Sequence, residues 1–162
     1  ETFTATSAPI QYAAITAFEG GDDIEDYLQQ SRRVLKVLAV YIVDRLREMK
    51  VKVEMPDGAF YLFPDFEHYR EKLHAKEVFT SVELCERLLE ETGVAMLPGH
   101  DFGREPGELS IRMAYVDFDG AQALNVASKE YSGKEIDETF VKKYCPKIEA
   151  ALNHLEKWLQ EL

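Results

Sequence analysis

The stretch that most limits what this chain can fold into is "DDIEDYLQQSRRVLKVLAVYIVDRLREMK", residues 22–50. Ile24, Tyr27, Leu28, Val34, Leu35, Leu38, Tyr41, Ile42, Leu46 and Met49 recur along it at three-and-four spacing, the period of one helix face. Acids fill its opening turn, where the helix dipole favours negative charge; the Asp22-Asp23 pair reads as cap residues rather than as a catalytic couple. About 26 residues at a rise of ~1.5 Å each make a rod about 39 Å long, more than a small domain needs across its width. Such a rod obliges the other elements to pack along its apolar stripe, and it is long enough to brace one domain against another.

Shorter elements flank it. "SAPIQYAAITAFEGG" predicts a short helix, with Ser7 as cap, Pro9 in the first turn and Gly20-Gly21 as its stop. "VKVEMPDGAFYLFPDF" predicts a hairpin, with a strand at 51–53, a turn at Pro56-Asp57-Gly58 and a strand at 59–63 halted by Pro64. Thr80 and Glu83 form a capping-box pattern ahead of an apolar helix, and Gly93 stands where a helix C′ residue belongs. "VAML" reads as a strand, "PGHDFGREPG" as a loop and 107–118 as another strand. Helices follow from residue 121 to about 131 and over 146–162, the last with Ile148, Leu152, Leu155, Leu159 and Leu162 on one stripe. A few short strands separated by helices predict the α+β class: a small, largely antiparallel sheet covered by helices, with one long bracing helix.

Charge narrows the partners. Lys plus Arg number 19 against 30 Asp plus Glu, a formal charge of −11, so phosphates of nucleic acids and of anionic membranes are repelled. The longest apolar run, 34–43, carries Lys36 and falls short of the ~20 residues a membrane span needs. Cys85 and Cys145 make neither a disulfide framework nor a zinc frame, which predicts a reducing, cytoplasmic setting. The chain opens without an initiator Met or a signal peptide, which suggests a processed form or a piece of something larger.

Catalytic signatures are sparse. His68, His74, His100 and His154 hold no helical metal spacing, and no GxSxG, P-loop or GxGxxG frame occurs. His100 reads first as a solvated turn residue. "PGHDFG" is either an ordinary connection or a nest of N–H groups for an anion. The residue that stands out is Arg112, a permanent cation between Ile111 and Met113. Strand alternation puts Leu109, Ile111, Met113 and Tyr115 on one face and Ser110, Arg112, Ala114 and Val116 on the other. On pattern alone Arg112 is either a surface charge or a fixed receptor for an anion.

Taken together, "SAPIQYAA", the long helix, "PDGAFYLFPDF", "LLEETGVAMLPGHDFG" and "LSIRMAYVDFDG" resemble, in order, spacing and wording, the C-terminal portion of the class I/II (fold-type I) aminotransferases, which use pyridoxal phosphate. The likeness runs over about 7–127 and rests on several blocks agreeing: G-A-F-Y, G-V-A, P-G-x-x-F-G and I-R. It implies that 1–22 is an N-terminal segment, at an interface or at the end of a large domain, and that 23–162 is the C-terminal small domain with its linking helix. The matching position for the family's α-carboxylate arginine is Arg112, whose planar guanidinium offers a carboxylate two parallel N–H donors.

The resemblance also implies an amino acid and a 2-oxo acid as substrates, with wording of the aspartate type, and a homodimer in the intact enzyme. It places Thr6 and Ser7 near the dimer interface and the PGHDFG loop near the mouth of the active site, with no chemical role for His100. The Schiff-base lysine, the partner of the pyridinium nitrogen and most phosphate ligands belong upstream. Lys129, Lys134, Lys142 and Lys143 stand in polar settings unlike that lysine's, so no residue here is assigned as catalytic, cofactor-binding or metal-binding. Pyridoxal phosphate is expected on the intact enzyme and not on this fragment. Beyond residue 127 the chain departs from its relatives with an acidic insertion before the last helix. Two other readings stay open on the residues: a free-standing amino-acid-binding or regulatory α+β module, and a scaffold whose helix faces bind a protein.

Overall fold

A computed structural model describes residues 5–162. Helices α1 (Ala8–Glu19) and α2 (Asp22–Glu48) lead into β1 (Tyr61–Leu62), followed by α3 (Arg70–Ala75) and α4 (Ser81–Thr92). Then come β2 (Leu97–Pro98), β3 (Ile111–Ala114), α5 (Gly120–Lys129), α6 (Glu138–Tyr144) and α7 (Pro146–Gln160). The fold is α+β, with a three-stranded antiparallel sheet in the order β1-β3-β2.

The long helix forms as its periodicity predicts, but its burial is divided. From Val34 onward Leu38, Ile42 and Leu46 are sealed in the core, whereas Tyr27 and the acids of the first turn are exposed. Its cap is Gly21, so Asp22 and Asp23 lie inside the first turn and are not cap residues; the positive φ values of Gly20 and Gly21 give the joint a geometry that side chains resist. Helix α1 buries nothing: Ile10, Tyr12, Ile15 and Phe18 all face outward, Phe18 at 92% exposure. Ser7 does occupy its N-cap, though only the Ser7 carbonyl takes part, accepting from the N–H groups of Ile10 and Gln11.

Helix α7 lies against the buried half of α2. Leu152, Leu155 and Leu159 enter the core, and a polar latch flanks them: the Tyr41 hydroxyl donates to Glu149, while Arg45 donates to Asn153 at 3.0 Å and to Glu156 at 2.8 Å. On the far side of α7 the indole of Trp158 donates to Glu91 of α4 at 2.6 Å, holding that carboxyl below its usual range. Arg33 reaches from α2 to the carbonyls of Tyr131 at 2.7 Å and Lys134 at 2.6 Å, capping the end of α5 from outside.

The strands are shorter than the sequence predicts. Residues 51–53 make no strand but a single bridge, Lys52 with Asp65. Asp65 turns its N–H and carbonyl toward Lys52, while the Phe66 N–H and the Pro64 carbonyl face the other way and bond Leu109 and Ile111. The predicted strand at 59–63 contracts to Tyr61–Leu62 because Ala59 is left-handed at φ 60°. "VAML" contracts to Leu97–Pro98, with the Val94 N–H taken by the Thr92 hydroxyl. Helices α3 and α6, each under two turns, carry too little periodicity to be read in advance. The capping box at Thr80 and Glu83 is complete in both directions, and Gly93 ends α4 in the left-handed conformation. No helix among the described residues is long and apolar enough to cross a membrane.

Helix α2 ends in a Schellman turn: the Val51 N–H bonds the Leu46 carbonyl and the Lys50 N–H the Arg47 carbonyl, each at 2.9 Å, with Lys50 at φ 59°. A side chain at that φ costs about 1–2 kcal/mol, part of which glycine's greater freedom in the unfolded chain offsets. Lys50→Gly is therefore expected to raise the unfolding free energy by about 0.5–1 kcal/mol in a denaturant titration.

Candidate anion site on the outer face of the sheet

The central strand separates two environments. Ile111, Met113 and Tyr115 are buried, while Arg112 is half-buried and Ala114 exposed on the opposite face. Pairing fixes their neighbours: Leu97 stands across from Arg112 on one side and Tyr61 from Ala114 on the other, so Phe63 stands one register step on, beside Arg112. Paired residues share a face, which gathers Tyr61, Phe63, Leu97, Arg112 and Ala114 on the outer side of the sheet. None of the three apolar neighbours is fully sealed.

The guanidinium lies over two ring faces, with its central carbon 4.5 Å from the Tyr61 centroid and 4.0 Å from that of Phe102. Phe102 comes from the loop that precedes the strand and is itself braced edge-on by Phe63 at 5.8 Å. Arg112 is thus on the same side as the PGHDFG loop. No carboxylate among the described residues pairs with it. Arg112, Tyr61, Phe63 and Phe102 line none of the described clefts of 540 to 820 Å³.

The loop is fixed by close approach. The Gly99 N–H donates to the Ser110 carbonyl at 2.9 Å, the His100 N–H to the buried Ser81 hydroxyl at 3.4 Å, and the Ser81 N–H to the Pro106 carbonyl at 3.2 Å. Those of Gly103 and Arg104 turn back to His100 and Gly99. These donors are engaged within the fold, so the loop is a folded connection and not an anion nest. A β-carbon on Gly99 would stand 2.3 Å from the Ser110 hydroxyl and 2.8 Å from its carbonyl oxygen. That hydroxyl is buried and has no partner among the described residues.

The remaining sequence candidates stay outside this arrangement. The His100 ring is exposed, with Nδ1 3.4 Å from the Arg104 carbonyl. Thr6 accepts a bond from Gln11 through its backbone carbonyl, and Ser7 does no more than start α1. Burial pushes the Cys85 thiol up to about 12 and Cys145 to about 11, which leaves both unreactive as nucleophiles near neutral pH. Among the described residues no group of three His, Cys, Asp or Glu side chains converges on a metal position. The rings of Tyr61, Phe63 and Phe102 are what sequence reasoning missed. The parity of Tyr61 and Phe63 relative to Leu62 was a usable signal; the approach of Phe102 from a loop left none.

Residues 1–129 match the family described as "Aminotransferase class I and II". An Aquifex aeolicus protein named "Probable aspartate/prephenate aminotransferase" is 36% identical over 64% of this chain and 25% of its own length. An aspartate aminotransferase of Thermotoga maritima is 38% identical over 64% of this chain and 23% of its own. In fold, the chain is similar to the crystal structure of an aromatic aminotransferase from Pyrococcus horikoshii, with a TM-score of 0.63 and 26% identity, covering 94% of this chain and 31% of that one. The chain spans about a quarter of the length of the curated relatives it matches.

The contact between Gly99 and Ser110 makes the loop's seat sensitive to one methyl group. Gly99→Ala is expected to cost about 1–3 kcal/mol, as overpacking of a tight site does. Thermal denaturation measures it, and Ser110→Ala alongside should recover only part, because the backbone carbonyl still crowds the new carbon.

Proposed function

The chain belongs to the aminotransferase class I and II family, and on that premise we propose that it is the C-terminal, substrate-clamping domain of a pyridoxal-phosphate-dependent transaminase. The enzyme moves an amino group between an amino acid and a 2-oxo acid, and Arg112 receives the α-carboxylate. The observation that carries this reading is the guanidinium itself: a half-buried cation with no carboxylate partner among the described residues, fixed on the face shared with the P-G-x-x-F loop. A guanidinium whose donors stay unpaired can give two parallel N–H bonds to a carboxylate, fixing its orientation as well as holding it. The aspartate aminotransferases among the relatives favour a dicarboxylic amino acid as substrate.

The residues present do not fit the cofactor's covalent anchor. An imine-forming lysine must be neutral, which takes burial or a neighbouring cation. Lysines of this chain are exposed apart from half-buried Lys76. Three are shifted the wrong way: a bond to Glu138 holds Lys142 above the usual range, Tyr144 does so for Lys143 and Asp117 for Lys147. Pyridoxal phosphate accordingly belongs to a part of the enzyme outside this chain. The bare apolar residues of α1 support a further surface covering it, from the large domain and a second subunit of a homodimer. Two buried free thiols support a reducing, cytoplasmic setting.

In the full-length enzyme, Arg112→Ala is expected to lower kcat/KM for amino acids by about 10² to 10⁴, the loss of two charge-assisted bonds of about 1.5–3 kcal/mol each, with KM rising. Arg112→Lys recovers little of it, because a point charge does not orient a carboxylate. Wild-type steady-state kinetics in either variant refute the assignment. The 162-residue chain alone is expected to show no transamination and, after treatment with pyridoxal phosphate and borohydride, no specifically labelled lysine.

A further inference from the structure

A long, flexible cation can be oriented in two ways. A carboxylate or carbonyl can bond to it, which uses up N–H donors, or aromatic rings can hold its flat face, which leaves every donor on the guanidinium edge free. The same chain shows both. Arg45 is held by acceptors, Asn153 at 3.0 Å and Glu156 at 2.8 Å, and Arg33 by the carbonyls of Tyr131 and Lys134. Arg112 is held by rings, with Tyr61 at 4.5 Å and Phe102 at 4.0 Å and no carboxylate among the described residues.

The rings are themselves fixed by different means. Tyr61 is carried on β1 by its pairing with Ala114, and Phe102 is seated by the edge of Phe63 and by a loop pinned to Ser81 and Ser110. Both remain partly exposed, at 36% and 39%, so they wall an open site and do not fill a core.

We infer that Tyr61 and Phe102 are positioning residues for the substrate carboxylate, holding the Arg112 guanidinium by its face so that its edge stays free to bond. The inference rests on the carboxylate reading of Arg112 given above. It also couples the loop to substrate: displacement of Phe102 releases the guanidinium that receives the carboxylate.

The test uses the full-length enzyme, with Tyr61→Leu and Phe102→Leu, which keep apolar bulk and remove the ring face, beside Tyr61→Phe and Phe102→Tyr, which keep it. Each leucine variant is expected to raise KM for the amino acid, and Ki for succinate as a carboxylate probe, by about tenfold with kcat within about twofold, the pattern of lost binding that ground state and transition state share. The aromatic variants stay within about twofold of wild type. Independently of substrate, phenylglyoxal modification at Arg112, read by mass spectrometry, is expected to speed up several-fold in the leucine variants alone. If a leucine variant fails to fold, methionine at that position takes its place. Leucine or methionine variants with unchanged KM and unchanged Arg112 reactivity overturn the inference, provided Arg112→Ala is impaired. An unimpaired Arg112→Ala instead overturns the carboxylate reading on which it stands.

Discussion

The core of this chain is built on the buried half of α2. Leu38, Ile42, Val43 and Leu46 present a sealed stripe against which the helices after the sheet are packed, and these side chains belong to the same core as Leu62 of β1 and Ile111 of β3. Burial of a side chain such as Leu or Ile contributes about 1.5–3 kcal/mol, so this stripe outweighs any single polar contact on the rod. The polar contacts do something different. Tyr41 and Arg45 fix where along α2 the last helix sits, because Glu149, Asn153 and Glu156 recur on one face of α7. Arg33 performs the same service for the loop after α5. The segment beyond residue 127, where the chain departs from its relatives in sequence, therefore helps close the core: Phe140, Val141, Leu152 and Leu155 are all buried.

The position of the sheet follows from that arrangement, and the character of its outer face follows from the sheet. Three strands of two to four residues cannot support themselves; they persist because one face is sealed against helices. The other face is consequently available for chemistry. Gly99 lets the loop lie directly on Ser110, which brings Phe102 over the neighbouring Arg112. A sequence of close approaches thus runs from a missing β-carbon to the orientation of a cation.

Much of this was legible in the sequence, and the reasons for the remainder are physical. Local signals read correctly: the periodicity of α2, the reciprocal bonds of Thr80 and Glu83, the left-handed Gly93 and the outward parity of Arg112. Readings failed where the outcome depended on a distant partner. Residues 51–53 have the composition of a strand, but their pairing stops at the one bridge of Lys52 with Asp65, on a segment whose other side bonds Leu109 and Ile111. Asp22 and Asp23 resemble caps, yet the turn places Gly21 at that position. The rings around Arg112 come from two separate segments, 61–63 and the loop that carries Phe102, and no local window contains them together.

The lone tryptophan gives this architecture a built-in optical gauge. Trp158 is 6% exposed and its indole N–H is bonded to Glu91, so its emission reports on the seam between the last helix and the helix that seats the PGHDFG loop. The carboxyl of Glu91 is held below its ordinary range, first of all by that indole bond, so it keeps its charge and the bond into more acid solution than a free glutamate would. The fluorescence of this domain therefore follows the fastening of its C-terminus as well as its global unfolding.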